Sequence, residues 1–326
     1  MTSPERPRVY VALRLQSDAK ERIETACDAT FFAGEGNPSR EELMAALANV
    51  DGVIGSNQLP MDAEVLASGP NLRVVSNFGV GFDNVDLEAA TAASVLVCNT
   101  PGVLTDAVAD LTLGLILALS RRLPEAERFA RDGDWQRGGG LALGTDVSGK
   151  TLGIVGLGRI GVAVAERADA FGMEIAFHDT FREPPIERPR CTYGELDDLL
   201  AEADFLSLHV DLRPETHHLI GQRELGLMKP TAHLINTSRG PVVDQAALVA
   251  ALKGGEIAGA ALDVLEEEPL RPDDPLAAMP NVILLPHIGS ATVETRLAMR
   301  DLAIDNLLAA LGGERPKAVV NPEVLS

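Results

Sequence analysis

The sequence predicts an α/β protein of two domains, each built on a doubly wound parallel sheet. Three observations lead there. At 326 residues the chain exceeds the usual single-domain size, so two domains of roughly 100–200 residues are expected. Strand-like apolar runs alternate with helix-like segments twice over, first from Arg8 and again from Thr151, and βαβα alternation of this kind gives a parallel sheet. A glycine-rich turn, GLGRIG, joins the first strand of the second series to the helix that follows.

Taken in order, VYVAL opens the first series and is followed by a polar helix, GVIGS, PMDAEVLAS, RVVSNFG, VDLEAATAAS and VLVCN. Ser39-Arg40-Glu41-Glu42 is a capping box, which places a helix start at Glu41. TDAVADLTLGLILALSRRL is apolar on nearly every face, tolerable in a helix only when it is packed on all sides, so it is expected between the domains. The second series is TLGIVG, MEIAFHD, FLSLHV, HLINTS, IAGAALDV and VILLPH, and it ends near His287. In the helix after GLGRIG, Ile160, Val164, Ala168 and Phe171 share one face. A long helix is expected from Ala291 to Leu311, with Leu297, Ile304, Leu308 and Leu311 near one face.

Composition narrows the function. Apolar residues make up 46% and aromatic residues only 4%, so the cores are aliphatic. A formal charge of −20 repels a phosphate backbone or an anionic membrane surface, so neither nucleic acid nor membrane is an expected partner. An anionic substrate meets the same repulsion, and its site must therefore bring its own cation and amide donors. Cys27, Cys98 and Cys191 are odd in number and lack metal-like spacing; they read as reduced, buried thiols of a cytoplasmic protein. The start, MTSPERPRVYVALRL, has no apolar h-region, so no signal peptide is expected. The longest apolar run, Leu111 to Leu119, is under half a membrane span.

Chemistry concentrates at strand ends. In Gly156-Leu157-Gly158-Arg159-Ile160-Gly161 the glycines allow a tight turn, approach of a pyrophosphate and close helix–strand packing, while the helix N-terminus favours the anion. Asp179 closes the next strand about 20 residues on, where a carboxylate accepts ribose hydroxyls. Arg239, in Asn236-Thr237-Ser238-Arg239-Gly240, can grip a carboxylate bidentately. Glu268 and His287 leave two further strands at the same sheet edge. Cation, acid and imidazole together form the set that carbonyl reduction needs. His178, His209, His217, His218 and His233 have no ligand-like spacing, and no metal is expected.

With these residues in place the chain resembles the D-isomer-specific 2-hydroxyacid dehydrogenase family from about Arg73 to Pro322. Four motifs carry the resemblance: VGFD with NVDLEAAT, GLGRIG, NTSRGPVVD, and LDVLEEEP followed by PHIGSAT. TPGVLTDAVADLTLGLILALSRR, the GDW at 133–135 and PHIGSATVETR resemble its glyoxylate/hydroxypyruvate/2-ketogluconate reductase branch. The resemblance implies a discontinuous, flavodoxin-like substrate domain, residues 1–98 and 289–326, into which a Rossmann nucleotide domain, 99–288, is inserted. It implies reduction of a small 2-keto acid to a D-2-hydroxy acid. His287 would protonate the carbonyl oxygen, Glu268 would favour the charged imidazole, and Arg239 would bind carboxylate and carbonyl. The Val80 and Gly81 amides would hold the carboxylate. Gly156, Gly158, Arg159, Ile160, Gly161, Asp179, Thr237 and Asp263 would hold NAD, with Asp263 at the nicotinamide carboxamide. A homodimer is implied, paired through Asp106–Leu119 and the Trp135 loop, with Trp135 crossing into the partner's site.

The acid at 179 favours NADH over NADPH, although Arg182 is a cation that could swing toward a 2′-phosphate. His209-Val210-Asp211-Leu212 departs from the proline that many relatives carry there. Two other readings remain beside the main one. A phosphoglycerate dehydrogenase needs cations for its phosphate, and Gly55-Ser56-Asn57-Gln58-Leu59 has none. A catalytically silent NAD-binding regulator needs no proton donor, yet arginine, glutamate and histidine all stand here.

Overall fold

A computed structural model of the chain describes residues 6–187 and 189–325. They form two compact units: residues 6–104 with 292–325, and residues 105–291. The sequence boundaries, 98/99 and 288/289, lie in the loops just ahead of these divisions.

The first unit runs β1 (Arg8–Val11), α1 (Ser17–Ala26), β2 (Asp28–Phe31), α2 (Arg40–Leu47), β3 (Gly52–Ser56), α3 (Ala63–Ala67), β4 (Val74–Phe78), α4 (Leu87–Ala92) and β5 (Leu96–Cys98). All its strands are parallel, in the order β2-β1-β3-β4-β5. This is the doubly wound order in which the winding reverses beside β1. Helix α2 begins one residue before the expected Glu41. Ser39 is itself the cap: its hydroxyl accepts from the Glu42 amide at 3.2 Å while the Glu42 carboxylate accepts from Ser39 N at 2.8 Å, leaving Arg40 as the first helical residue.

The second unit opens with α5 (Thr105–Ser120) and α6 (Leu123–Arg131). It continues β6 (Thr151–Val155), α7 (Arg159–Ala170), β7 (Glu174–His178), β8 (Cys191–Tyr193), α8 (Leu196–Glu202), β9 (Phe205–Leu208), α9 (Gln222–Leu227), β10 (His233–Asn236), α10 (Gln245–Gly254), β11 (Gly259–Leu262) and β12 (Val282–Leu284). Its seven parallel strands are ordered β12-β11-β10-β9-β6-β7-β8, so the winding reverses between β6 and β9. Ligands of such sheets bind outside the strand C-termini at that reversal. The short strand β8, behind the proline-rich stretch at 184–189, is one that the alternation of apolar runs does not mark.

Helix α5 is a core element of this second unit. Its Ala109, Leu113, Ile116 and Leu119 pack with Leu152, Ile154, Phe177 and α7 residues. The dimer surface expected of α5 is thereby corrected, because most of its apolar side chains are already covered. The exposed apolar groups lie just beyond: α6 buries no residue, and Leu123, Trp135 and Leu143 are 52%, 73% and 94% exposed. The expected face of α7 is corrected too. Phe171 is exposed at its C-terminus, while Gly161, Ala163, Val164, Ala165 and Ala168 are buried because the helix is covered by both sheet and α5.

The chain's last long helix, α11 (Val293–Leu311), returns to the first unit and packs on β3, β4 and β5. Its buried residues are Thr295, Met299, Ala303, Ile304, Asn306, Leu307 and Leu311, so of the expected set Ile304 and Leu311 are buried and Leu297 and Leu308 are not. Small and polar residues win these places because the helix lies close to the sheet: Ser76 Oγ donates to Ala303 O at 2.8 Å and Asn306 Nδ2 to Asn99 O at 3.0 Å. Cys27, Cys98 and Cys191 are free thiols and buried. No described helix is long and apolar enough to cross a membrane.

Candidate active site

The glycine turn sits at the reversal point of the seven-stranded sheet. Gly156 has φ +92, and a Cβ there would stand 2.7 Å from the His209 carbonyl oxygen at the end of the neighbouring strand. A Cβ on Gly161 would overlap the Gly156 carbonyl, which fixes glycine where helix crosses turn. Gly158 has no heavy atom of this kind within 4 Å, so its side stays open to a ligand. It caps α7 without any side-chain acceptor, and the first-turn amides of Arg159 and Ile160 therefore face no built-in cap. Asp179 follows β7. Its Oδ2 accepts from Leu157 N at 2.7 Å and its Oδ1 from Thr180 N at 2.6 Å, which pins the carboxylate beside the turn. Open amides, helix dipole and carboxylate fit a dinucleotide.

Arg239, Glu268 and His287 come together in this unit, drawn from the loops after β10, β11 and β12. Glu268 Oε2 lies 2.9 Å from His287 Nδ1, and Glu268 Oε1 accepts from Leu265 N at 3.1 Å. Burial pushes the Glu268 carboxyl up, but His287, the Leu265 amide and the Arg239 charge outweigh it, so the group lies below its ordinary 4.5. Gly240 is forced by packing: a Cβ there would overlap the Leu265 carbonyl, so the Arg239 turn presses on the backbone that leads to Glu268.

His287 has φ +56, a left-handed conformation that costs a non-glycine residue about 1–2 kcal/mol. Asp263, 2% exposed, holds it there by accepting from Ile288 N at 2.7 Å and Gly289 N at 2.8 Å. The residue expected at the nicotinamide thus has both carboxylate oxygens on the His287 loop. Burial pushes its carboxyl above the ordinary value despite these amides. Thr237, another expected cofactor residue, is buried with its hydroxyl 3.0 Å from that of Thr112. Trp135 lies in the loop after α6.

Val80 and Gly81 belong to the other unit. Their carbonyls are tied down, Val80 O by Asn99 Nδ2 at 2.7 Å and Gly81 O by Asn77 Nδ2 at 2.8 Å, while among the described residues their amides have no acceptor. Asn77 is also paired with Asn84. Sequence reasoning named the loop but missed the asparagines that shape it. It quoted Asn236 at the head of the arginine motif without assigning its role: Oδ1 accepts from Ser238 N and Nδ2 donates to Arg239 O at 2.8 Å, folding the arginine turn. An asparagine closing a buried strand was the available signal.

Replacing Glu268 by glutamine should shift the basic limb of the pH–rate profile for keto-acid reduction to lower pH, because the carboxylate that favours an imidazolium is gone. In the parent enzyme the depressed carboxyl keeps that partner ionised down to below pH 4.5, so the profile should hold on its acid side until then. Superimposable profiles for the two proteins would place the glutamate outside the proton-transfer step.

Comparison with known proteins gives the family to which the chain is similar. Residues 113–289 match the model of the D-isomer specific 2-hydroxyacid dehydrogenase, NAD binding domain. The chain is 47% identical over 325 residues to a glyoxylate reductase of Thermofilum pendens, covering 98% of this chain and 96% of that one. A glyoxylate reductase of Korarchaeum cryptofilum is 46% identical over 323 residues, 98% and 97% of the two chains. Among solved structures, the NADPH-dependent glyoxylate/hydroxypyruvate reductase of Sinorhizobium meliloti, in complex with NADP and malonate, superposes with a TM-score of 0.87 at 39% identity, covering 97% of each chain.

Proposed function

The chain belongs to the D-isomer specific 2-hydroxyacid dehydrogenase family, and on that premise we propose that it reduces small 2-keto acids, glyoxylate and hydroxypyruvate foremost, to D-2-hydroxy acids with NADH. The observation that carries the reading is the Glu268–His287 pair at 2.9 Å beside Arg239, next to an open glycine turn. Relatives named for glyoxylate and hydroxypyruvate support the substrate class. 2-Ketogluconate remains a further candidate.

The open Gly158 turn and the first amides of α7 would hold the pyrophosphate of a dinucleotide, whose reduced nicotinamide would supply the hydride. The protein's own residues do the rest. With Nδ1 of His287 engaged by Glu268, Nε2 is the nitrogen left to give a proton to the carbonyl oxygen, and Glu268 stabilises the ring while it carries charge. Arg239 offers a cationic fork to the carbonyl and carboxylate oxygens. The open amides of Val80 and Gly81 donate to the carboxylate. Asp263 acts by holding the His287 loop, and its nicotinamide contact is retained as part of the proposal; Thr237 contributes through the turn it shares with Arg239. Loss of NADH absorbance in the presence of glyoxylate and hydroxypyruvate tests the reading; no turnover with any 2-keto acid would overturn it.

The proposal includes a homodimer in a reducing, cytoplasmic setting, which the three buried thiols suit. Leu123, Trp135 and Leu143 supply exposed apolar surface that a partner copy would cover, and Trp135 would reach the partner's site. Light scattering at micromolar concentration should give twice the chain mass, and Trp135→Ala should change the kinetics. A monomeric mass rejects the dimer, and kinetics identical to the parent reject the crossing.

A further inference from the structure

Arg296 stands in the first turn of α11, the helix capped by Thr292, at the C-terminal end of β4. Its guanidinium lies over the Phe78 ring, 5.5 Å from the ring centre. Phe78 is the last residue of β4 and leads directly into Gly79-Val80-Gly81, the loop with anchored carbonyls and open amides. Among the described residues no carboxylate stands within 4.0 Å of Arg296, which is half-buried and depressed from the ordinary arginine value by burial.

What sets Arg296 apart is its burial: among the described residues, other arginines without an ion pair, such as Arg73, Arg128 and Arg315, are exposed to water. One turn along the same helix, Arg300 is held by Asp18, Asp301 and Gln16. A half-buried guanidinium loses hydration, and a ring face replaces less of it than a carboxylate does. Its planar fork matches a carboxylate bidentately, and it lies over the ring of Phe78, two residues ahead of the first of two unengaged N–H donors at a sheet edge of the kind that binds ligands. A protein with a charge of −20 needs such a local cation if it is to hold an anion.

We propose that Arg296 is a substrate-binding residue that, with the Val80 and Gly81 amides, takes the carboxylate of the 2-keto acid. The proposal rests on the function given above and adds to it the residue that selects for an anionic substrate.

The test is the preference for a charged over a neutral substrate. In Arg296→Met, kcat/KM for glyoxylate should fall about 10²-fold, mostly through KM, while that for the methyl ester of glyoxylate should change less than about 3-fold. Arg296→Lys, which keeps charge without the fork, should fall between parent and Met variant. KM for NADH and the thermal unfolding midpoint should stay at parent values. Equal losses with both substrates, or an unchanged KM for glyoxylate, overturn the proposal. If the Met variant does not fold, Arg296→Lys carries the same comparison. A parent enzyme that reduces no 2-keto acid overturns the functional reading itself, a result distinct from either of these.

Discussion

Replacing His287 by alanine is expected to lower the turnover of 2-keto acid reduction by about 10²-fold or more, the usual contribution of a positioned general acid. Affinity for the nicotinamide cofactor should stay nearly constant, because the glycine turn and Asp179 are built from other loops. The imidazole is held in one position, since Glu268 engages Nδ1 at 2.9 Å and the left-handed backbone is fixed by two amides on Asp263. Since alanine tolerates φ +56 poorly, His287→Asn is the companion variant, asparagine being at home in that region and unable to serve as an imidazole. Both variants should lose turnover alike. Steady-state kcat together with NADH titration decides the matter, and retained turnover in the asparagine variant would remove His287 from the chemistry.

The second large effect concerns the nucleotide. NADH should be preferred over NADPH by about 10²-fold in kcat/KM, the equivalent of a few kcal/mol. Asp179 is fixed at the end of β7 by the Leu157 and Thr180 amides, and a 2′-phosphate there would meet a carboxylate at close range. Arg182 offers little relief in its present position: it is bonded to Glu195 at 2.6 Å and lies over the Tyr193 ring at 5.1 Å. Family membership does not decide the point, since the Sinorhizobium meliloti relative is NADPH-dependent. Parallel assays with both cofactors do. Equal values, or a preference for NADPH, would show that the acid does not read the ribose, whereas Asp179→Ala should narrow the ratio if it does.

Most strand positions were legible because a strand buried on both faces is a short apolar run between turn residues; the edge strands β2 and β8, largely exposed or half-buried, carry no such run and were not. Helix faces were less legible. In α7 and α11 the buried places fall to Gly161, Ala165, Ala303 and Asn306, whose size and hydrogen bonds suit a close neighbour, and hydrophobicity does not mark them. The candidate trio stood out because arginine, glutamate and histidine each leave a strand on the ligand-binding edge. Their supports did not. Asp263 acts on amides 25 and 26 residues away, and Asn99 on a carbonyl 19 residues back, contacts that only the folded chain reveals. Arg296 was visible as part of a motif, but its lack of an acid partner was not.

The two carboxyls around His287 respond to acid in opposite senses. Glu268 is depressed below 4.5, so its ionised form stabilises the fold above that pH, and the contribution is lost as pH falls through the folded value. Asp263 is raised above 3.8, so its ionised form weighs against the fold at higher pH, and protonation relieves that burden as pH drops toward 3.8. Over the mildly acidic range one group therefore withdraws stability while the other returns it. The loop that carries His287 thus has one support that weakens and one that is relieved as the solution turns acid.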